Sequence, residues 1–207
     1  HHGEPTDGVA GRQSILAHRH LVFGVIAIFC YVGAEVSIGS YLVSLMGQPD
    51  IAGLPAEQAG KYLSFYWGGA MIGRFIGSAL MRTIAPNRLL AFNAVAIAVL
   101  IGIALTLGGH VAMWALILIG LFNSIMFPTI FSLALEGLGN LTSKGSGLLC
   151  MAIVGGAVMP LVQAFFADRI GLLPSFAVPL VCYLYIIWFG ARGYRAAQSA
   201  RAQAASA

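Results

Sequence analysis

The chain has 207 residues, 59% of them hydrophobic and only 9% charged, with a mean hydropathy of +0.87. Soluble globular domains carry about 25% charged residues, so this composition excludes an ordinary soluble domain and points to a membrane protein in the lipid bilayer. The net charge of +4 comes from basic residues spaced in ones and twos between apolar runs, with no block of nucleic-acid-binding type.

Residues 1–20 read as a cytoplasmic linker. The stretch opens without Met and without a signal-peptide pattern, which marks a fragment or processed piece. Its basic end, "RQSILAHRH", reads as plain linker, with a short surface helix as the alternative. A bilayer span needs about 20 mostly apolar residues, and six segments qualify: 21–46, 60–81, 88–107, 111–135, 146–168 and 174–194. The breaks are turn-like: "GQPDIAGLP", "RTIAPNR", "LGGH", "EGLGNLTSKGS" and "DRIGLLP". Runs this long and continuous predict helices, since membrane strands alternate over about 10 residues. Residues 195–207 form an Ala-rich cytoplasmic tail.

The first span carries a carboxyl group, Glu35, near its middle, with Tyr31 one helical turn earlier on the same face. A carboxylate at mid-bilayer costs about 2.5–3.5 kcal/mol on insertion scales, and such acids mark functional sites by default. No basic residue is expected at its depth, so its partner should be a hydroxyl, a solute or a residue of another chain. The second span repeats glycine every fourth residue, Gly69, Gly73 and Gly77. That face lets backbones approach closely, either as static packing or as a sliding surface. Arg74, two turns from Arg82, is expected to reach toward the Arg82 side.

The fourth span contains "LFNSIMFPTIFS", where Pro128 should bend the helix near Ser124, beside the amide of Asn123. The fifth contains "IVGGAVMPLVQ", with Gly155, Gly156 and Pro160 ahead of Gln163. Two broken helices, each bearing an amide, are expected to line a solute path. Tyr62, Tyr66 and Trp67, like Tyr183, Tyr185 and Trp188, fit interfacial aromatic belts as well as they fit sugar stacking. The three cysteines, Cys30, Cys150 and Cys182, read as buried free thiols, and no Cys/His spacing suggests a metal.

The 11 Lys and Arg residues set the orientation. Arg12, Arg19, Arg74, Arg82, Arg88, Lys144, Arg192, Arg195 and Arg201 fall on one side, leaving Lys61 and Arg169 opposite, a split of nine to two. The nine-residue side is expected to be cytoplasmic, with both termini there.

Taken together, "FCYVGAEVSIGSYL", "YLSFYWGGAMIGRFIGSALM" and "NSIMFPTIFSLALEGLG" resemble the fucose permease branch of the major facilitator superfamily, within it the glucose/galactose transporter group. The likeness runs from about residue 20 to 194 and covers the second half of such a transporter, helices seven to twelve. It implies an all-α membrane fold, half of twelve helices built from 3+3 inverted repeats, whose N-terminal six-helix partner half is missing here. It further implies an inner-membrane carrier that symports a proton with a small-molecule sugar, with no other cofactor. By position the resemblance makes Glu35 and Asn123 sugar contacts, with Gln163 and Tyr31 beside them. Gly73, Arg74 and Gly77 then fall in the loop-proximal Gly/Arg motif; the superfamily's usual Asp after Gly73 is absent. Pro128, Gly155, Gly156 and Pro160 become the bending points.

Two other readings stay open: the same fold carrying another small solute, and a six-helix membrane protein that assembles or scaffolds without transport. The absence of a nucleophile–base pair argues against an enzyme.

Overall fold

The computed structural model describes residues 18–193. The tail expected at 195–207 and all but the last three residues of the linker expected at 1–20 lie outside the described residues. Helix α1 spans Arg19–Met46, α2 Ala56–Leu80, α3 Pro86–Leu107, α4 Gly109–Asn123 and α5 Met126–Leu135. They are followed by α6 Thr142–Met151, α7 Gly155–Ile170 and α8 Ala177–Trp188, with short 3₁₀ turns at Ala152–Val154 and Pro174–Phe176. No strand occurs among the described residues.

These helices fill the six expected spans. Helices α1, α3 and α8 each form the core of one. The stretch Gly139–Ile170, which holds α6 and α7, forms another, and α4 with α5 makes a fifth bent by 42°. Helix α2 has 25 residues, about 37 Å of rise, but its Lys61, Arg74 and glycines leave it short of the apolarity the other spans reach. It is a span by length and packing rather than by hydropathy.

The centre of the bundle is α1, which packs against α2, α5, α6, α7 and α8. Small residues set the spacing. A Cβ at Gly24 would overlap the Ala134 methyl of α5, and one at Gly33 would overlap Met159 of α7. A Cβ at Gly155 would overlap the Phe29 carbonyl. Rising numbers pair with rising numbers in the couples Phe29–Gly155 and Gly33–Met159, so α1 and α7 run parallel.

Helix α2 docks on α4 in the same manner. Gly120 meets the backbone of Tyr66, Gly69 meets Leu121, Gly73 meets Leu121 and Ser124, and Gly77 meets Ile125. The Gly69–Gly73–Gly77 face is thus occupied by the end of α4 and the break after it. Close packing is what these glycines show.

Candidate functional site

The α4–α5 break is the local feature on which the interior turns. Pro128 has no N–H and its ring excludes the carbonyl four residues back. Accordingly α4 stops at Asn123, residues 124 and 125 form a turn, and α5 restarts with Pro128 in its first turn. The expected bend near Ser124 is present. In the fifth span the backbone tightens to 3₁₀ at Ala152–Val154, one residue before Gly155, and then continues through Pro160 within α7. Gly155 and Gly156 themselves are packed against α1, beside Phe29 and Val32.

On one side of the α4–α5 break lies a cavity of about 390 Å³. Its wall is Tyr31 and Glu35 from α1, Arg74 and Ser78 from α2 with Met81 just beyond it, and Ser124, Ile125, Phe127 and Pro128 from the break. This corrects the expectation that no basic residue shares Glu35's depth and that Arg74 simply reaches for the cytoplasmic surface. Arg74 and Glu35 border one cavity. They are not in direct contact: among the described residues the single ion pair within 4.0 Å is Lys61–Glu57, on the exposed start of α2. A carboxyl that accepts, a guanidinium that donates through five N–H groups, and the Ser78 hydroxyl able to do both form a set suited to a neutral polyhydroxylated solute, while the Ser124 hydroxyl donates to the Leu121 carbonyl at 2.9 Å and is left to accept.

On the other side of the break the polar groups are paired with one another. The Asn123 side chain is fully buried. Its Nδ2 donates to the Tyr66 hydroxyl at 2.9 Å, and its Oδ1 accepts from the Tyr183 hydroxyl at 2.8 Å. Its backbone carbonyl accepts from the Tyr31 hydroxyl at 3.0 Å. Three tyrosines from α1, α2 and α8 thus converge on one residue. Tyr66 and Tyr183 are themselves fully buried, so of the two readings open for them, interfacial belt or sugar stacking, neither describes where these two rings sit. Periodicity does not reveal this arrangement, because each tyrosine sits among other aromatics on its own helix. The pairing appears only when three helices are brought together.

Gln163 stands apart from both groups. It is fully buried in α7, and its Nε2 donates to Ser175 Oγ at 3.2 Å, while Oε1 has no partner. Pro160 lies nearby, its carbonyl accepting from the Tyr41 hydroxyl at 3.0 Å. Of the residues expected to meet solute, then, Glu35 and Tyr31 share the cavity. Asn123 sits behind its wall, and Gln163 lies between α7 and the turn before α8. The three cysteines are free; Cys182 is buried and Cys30 half-buried, whereas Cys150 is exposed.

No protein-family model matches the chain. Among curated proteins it is similar to a glucose/galactose transporter of Brucella abortus, with 55% identity over 190 residues, 92% of this chain and 46% of the relative. It is 51% identical over 189 residues to a putative glucose/galactose transporter of Helicobacter pylori, again across 46% of that protein. The L-fucose-proton symporter of Escherichia coli is 38% identical over 172 residues, 83% of this chain and 39% of the symporter. Among solved structures, the transporter FucP in its outward conformation superposes with a TM-score of 0.86 at 35% identity, covering 93% of this chain and 47% of FucP. A POT family transporter structure, PepTSo, shares the fold alone, with a TM-score of 0.74 at 14% identity. The chain spans about half the length of the curated relatives it matches.

Proposed function

We propose that this chain, which belongs to the fucose permease and glucose/galactose transporter branch of the major facilitator superfamily, supplies the C-terminal half of a proton-coupled hexose carrier. The observation that carries the reading is the cavity beside the α4–α5 break, where Glu35, Arg74, Ser78 and Ser124 meet. Hexose hydroxyls both donate and accept. Glu35 takes hydroxyl hydrogens, Arg74 gives N–H groups to hydroxyl oxygens, and Tyr31 closes the wall on the α1 side. Such complementarity costs a polyol little of its hydration, because each displaced water bond is replaced by a fixed partner.

Transport follows by alternating access, the two six-helix halves rocking around a midplane site. The N-terminal half would supply the opposite wall of the site and the proton-carrying acids. Pro128 fixes the bend that opens the cavity wall, and the 3₁₀ turn before Gly155 and Gly156 supplies a second soft point. The protein is a carrier and not an enzyme. It sits in a bacterial inner membrane with the Arg- and Lys-rich ends of the helices on the cytoplasmic side, which accords with the positive-inside rule.

The test is sugar-triggered proton uptake into vesicles holding the full twelve-helix protein. Glucose or galactose should move protons in the wild type. Glu35→Gln should weaken sugar transport more than Gln163→Leu does, because only Glu35 borders the cavity. Near-wild-type uptake in both variants would sink the site assignment. Loss of coupling in Glu35→Gln with sugar exchange intact would instead make Glu35 a proton carrier. The absence of any sugar response in the wild type would move the assignment to another solute.

A further inference from the structure

A helix leaves its last four carbonyls without intrahelical donors. Because α4 ends inside the bundle, these groups need partners that water cannot supply. Three of the carbonyls at the break are provided for. Leu121 O accepts from Ser124 Oγ at 2.9 Å, Phe122 O from Asn93 Nδ2 at 3.0 Å, and Asn123 O from the Tyr31 hydroxyl at 3.0 Å.

The next carbonyl, that of Ser124, is different. In a continuous helix its donor would be the N–H of residue 128, which is proline and has none. The N–H of Thr129 turns to the Ile125 carbonyl at 3.2 Å, and the Thr129 hydroxyl follows it there at 2.6 Å. Among the described residues no donor reaches the Ser124 carbonyl. Yet Ser124, Ile125 and Pro128 all border the cavity that holds Glu35 and Arg74. At membrane depth, irregular backbone is tolerated where it lines a cavity.

We infer that the Ser124 backbone carbonyl is a binding-site acceptor, taking a hydrogen bond from one hydroxyl of the transported hexose. The inference rests on the hexose reading above and deepens it. A main-chain carbonyl cannot donate, so at that position it accepts a sugar carrying a hydroxyl and penalises one lacking it. Proline at 128 keeps the oxygen permanently free of an intrahelical donor, and no side-chain rotamer has to be ordered when the sugar arrives.

The experiment crosses Pro128→Ala, which supplies the missing N–H, with a series of monodeoxy glucose and galactose analogues. Binding to the purified full-length transporter is the readout. In the wild type one deoxy position should lose about three- to tenfold in affinity through this bond, the range of a net neutral hydrogen bond. In Pro128→Ala that one penalty should shrink to about onefold while the penalties at other positions persist. If every analogue keeps its wild-type penalty in Pro128→Ala, the carbonyl assignment is wrong and the hexose reading stands. If the wild type binds no hexose, the reading fails and takes the assignment with it. Should Pro128→Ala not fold, an amide-to-ester replacement at Ile125, which weakens the Ser124 carbonyl as an acceptor, takes its place. About threefold weaker binding of the parent hexose, with the critical deoxy analogue unaffected, is then expected. Equal losses for both sugars would overturn the inference.

Discussion

Replacing Asn123 by leucine tests whether the three-tyrosine cluster is a structural keystone or a ligand site. Leucine keeps the volume and removes both side-chain hydrogen bonds, leaving the buried hydroxyls of Tyr66 and Tyr183 without their amide partner. The Tyr31 bond is to the Asn123 backbone and survives. Interhelical side-chain hydrogen bonds in membranes average about 0.6 kcal/mol, with a maximum near 1.7. Two of them therefore amount to about 1.2–3.4 kcal/mol. At about 1–2 °C per kcal/mol, half the value for a chain of about 150–250 residues, the full-length transporter should lose about 1–7 °C of thermal stability in detergent. Tyr66→Phe should cost about 0.6–1.7 kcal/mol in the wild type and close to nothing in the Asn123→Leu background, since the bond is already gone. Identical costs of Tyr66→Phe in both backgrounds would refute the pairing. An unchanged melting temperature with abolished hexose binding would make Asn123 a sugar ligand after all.

Other substitutions follow from the same geometry. Gly73→Ala sets a methyl into the Leu121 carbonyl and the Ser124 side chain, and should destabilise by about 1–3 kcal/mol as α2 is pushed off α4. Gly68→Ala, one helix face away with open space around it, should be neutral or gain up to about 1 kcal/mol from helix propensity; equal melting temperatures for the two would contradict the α2–α4 register. The pairs Phe29–Gly155 and Gly33–Met159 place Ser37 level with Gln163, and each carries a fully buried oxygen with no partner. The double variant Ser37→Ala, Gln163→Leu removes both orphans at once and should be neutral or stabilising in a thermal melt, whereas a loss above about 2 kcal/mol would mean that a buried water bridges them. Arg74→Gln should weaken hexose affinity about tenfold or more in equilibrium binding, as charged hydrogen bonds contribute about 1.5–3 kcal/mol; wild-type affinity would remove Arg74 from the site.

Much of this fold was legible in the sequence because the signals were one-dimensional. Span length, proline position and glycine spacing are properties of one helix at a time, and the bend at Ser124 follows from Pro128 alone. The Gly69–Gly73–Gly77 stripe announced a close approach without naming its partner; α4 supplies it through Leu121, Ser124 and Ile125. Glu35 was legible as a costly group that needed a reason. Arg74 was not legible as its neighbour, because counting residues from Arg82 gives depth along α2 and says nothing about which way the side chain faces. The same limit explains Asn123 and Gln163. Each looked like a solute-facing amide by position in its span, yet one is enclosed by Tyr66 and Tyr183 and the other is held by Ser175. Hydropathy also understated α2, where Gly69, Gly73 and Gly77 serve packing and Arg74 and Ser78 border the cavity.

The two sides of the α4–α5 break divide the labour between stability and recognition. Behind the break, Asn123 is hydrogen-bonded to all three tyrosines, so that wall holds its shape without a ligand. In front of it, Glu35, Arg74 and Ser124 border one cavity, and no ion pair within 4.0 Å joins Glu35 to Arg74. Tyr31 belongs to both sides: its ring borders the cavity and its hydroxyl holds the Asn123 carbonyl. Tyr31→Phe therefore frees a second backbone acceptor at the break while leaving the cavity wall in place. It should cost about 0.6–1.7 kcal/mol in stability and weaken hexose binding less than Glu35→Gln does. A melting temperature equal to the wild type together with a larger binding loss than Glu35→Gln would make Tyr31 a direct sugar ligand and detach it from the scaffold.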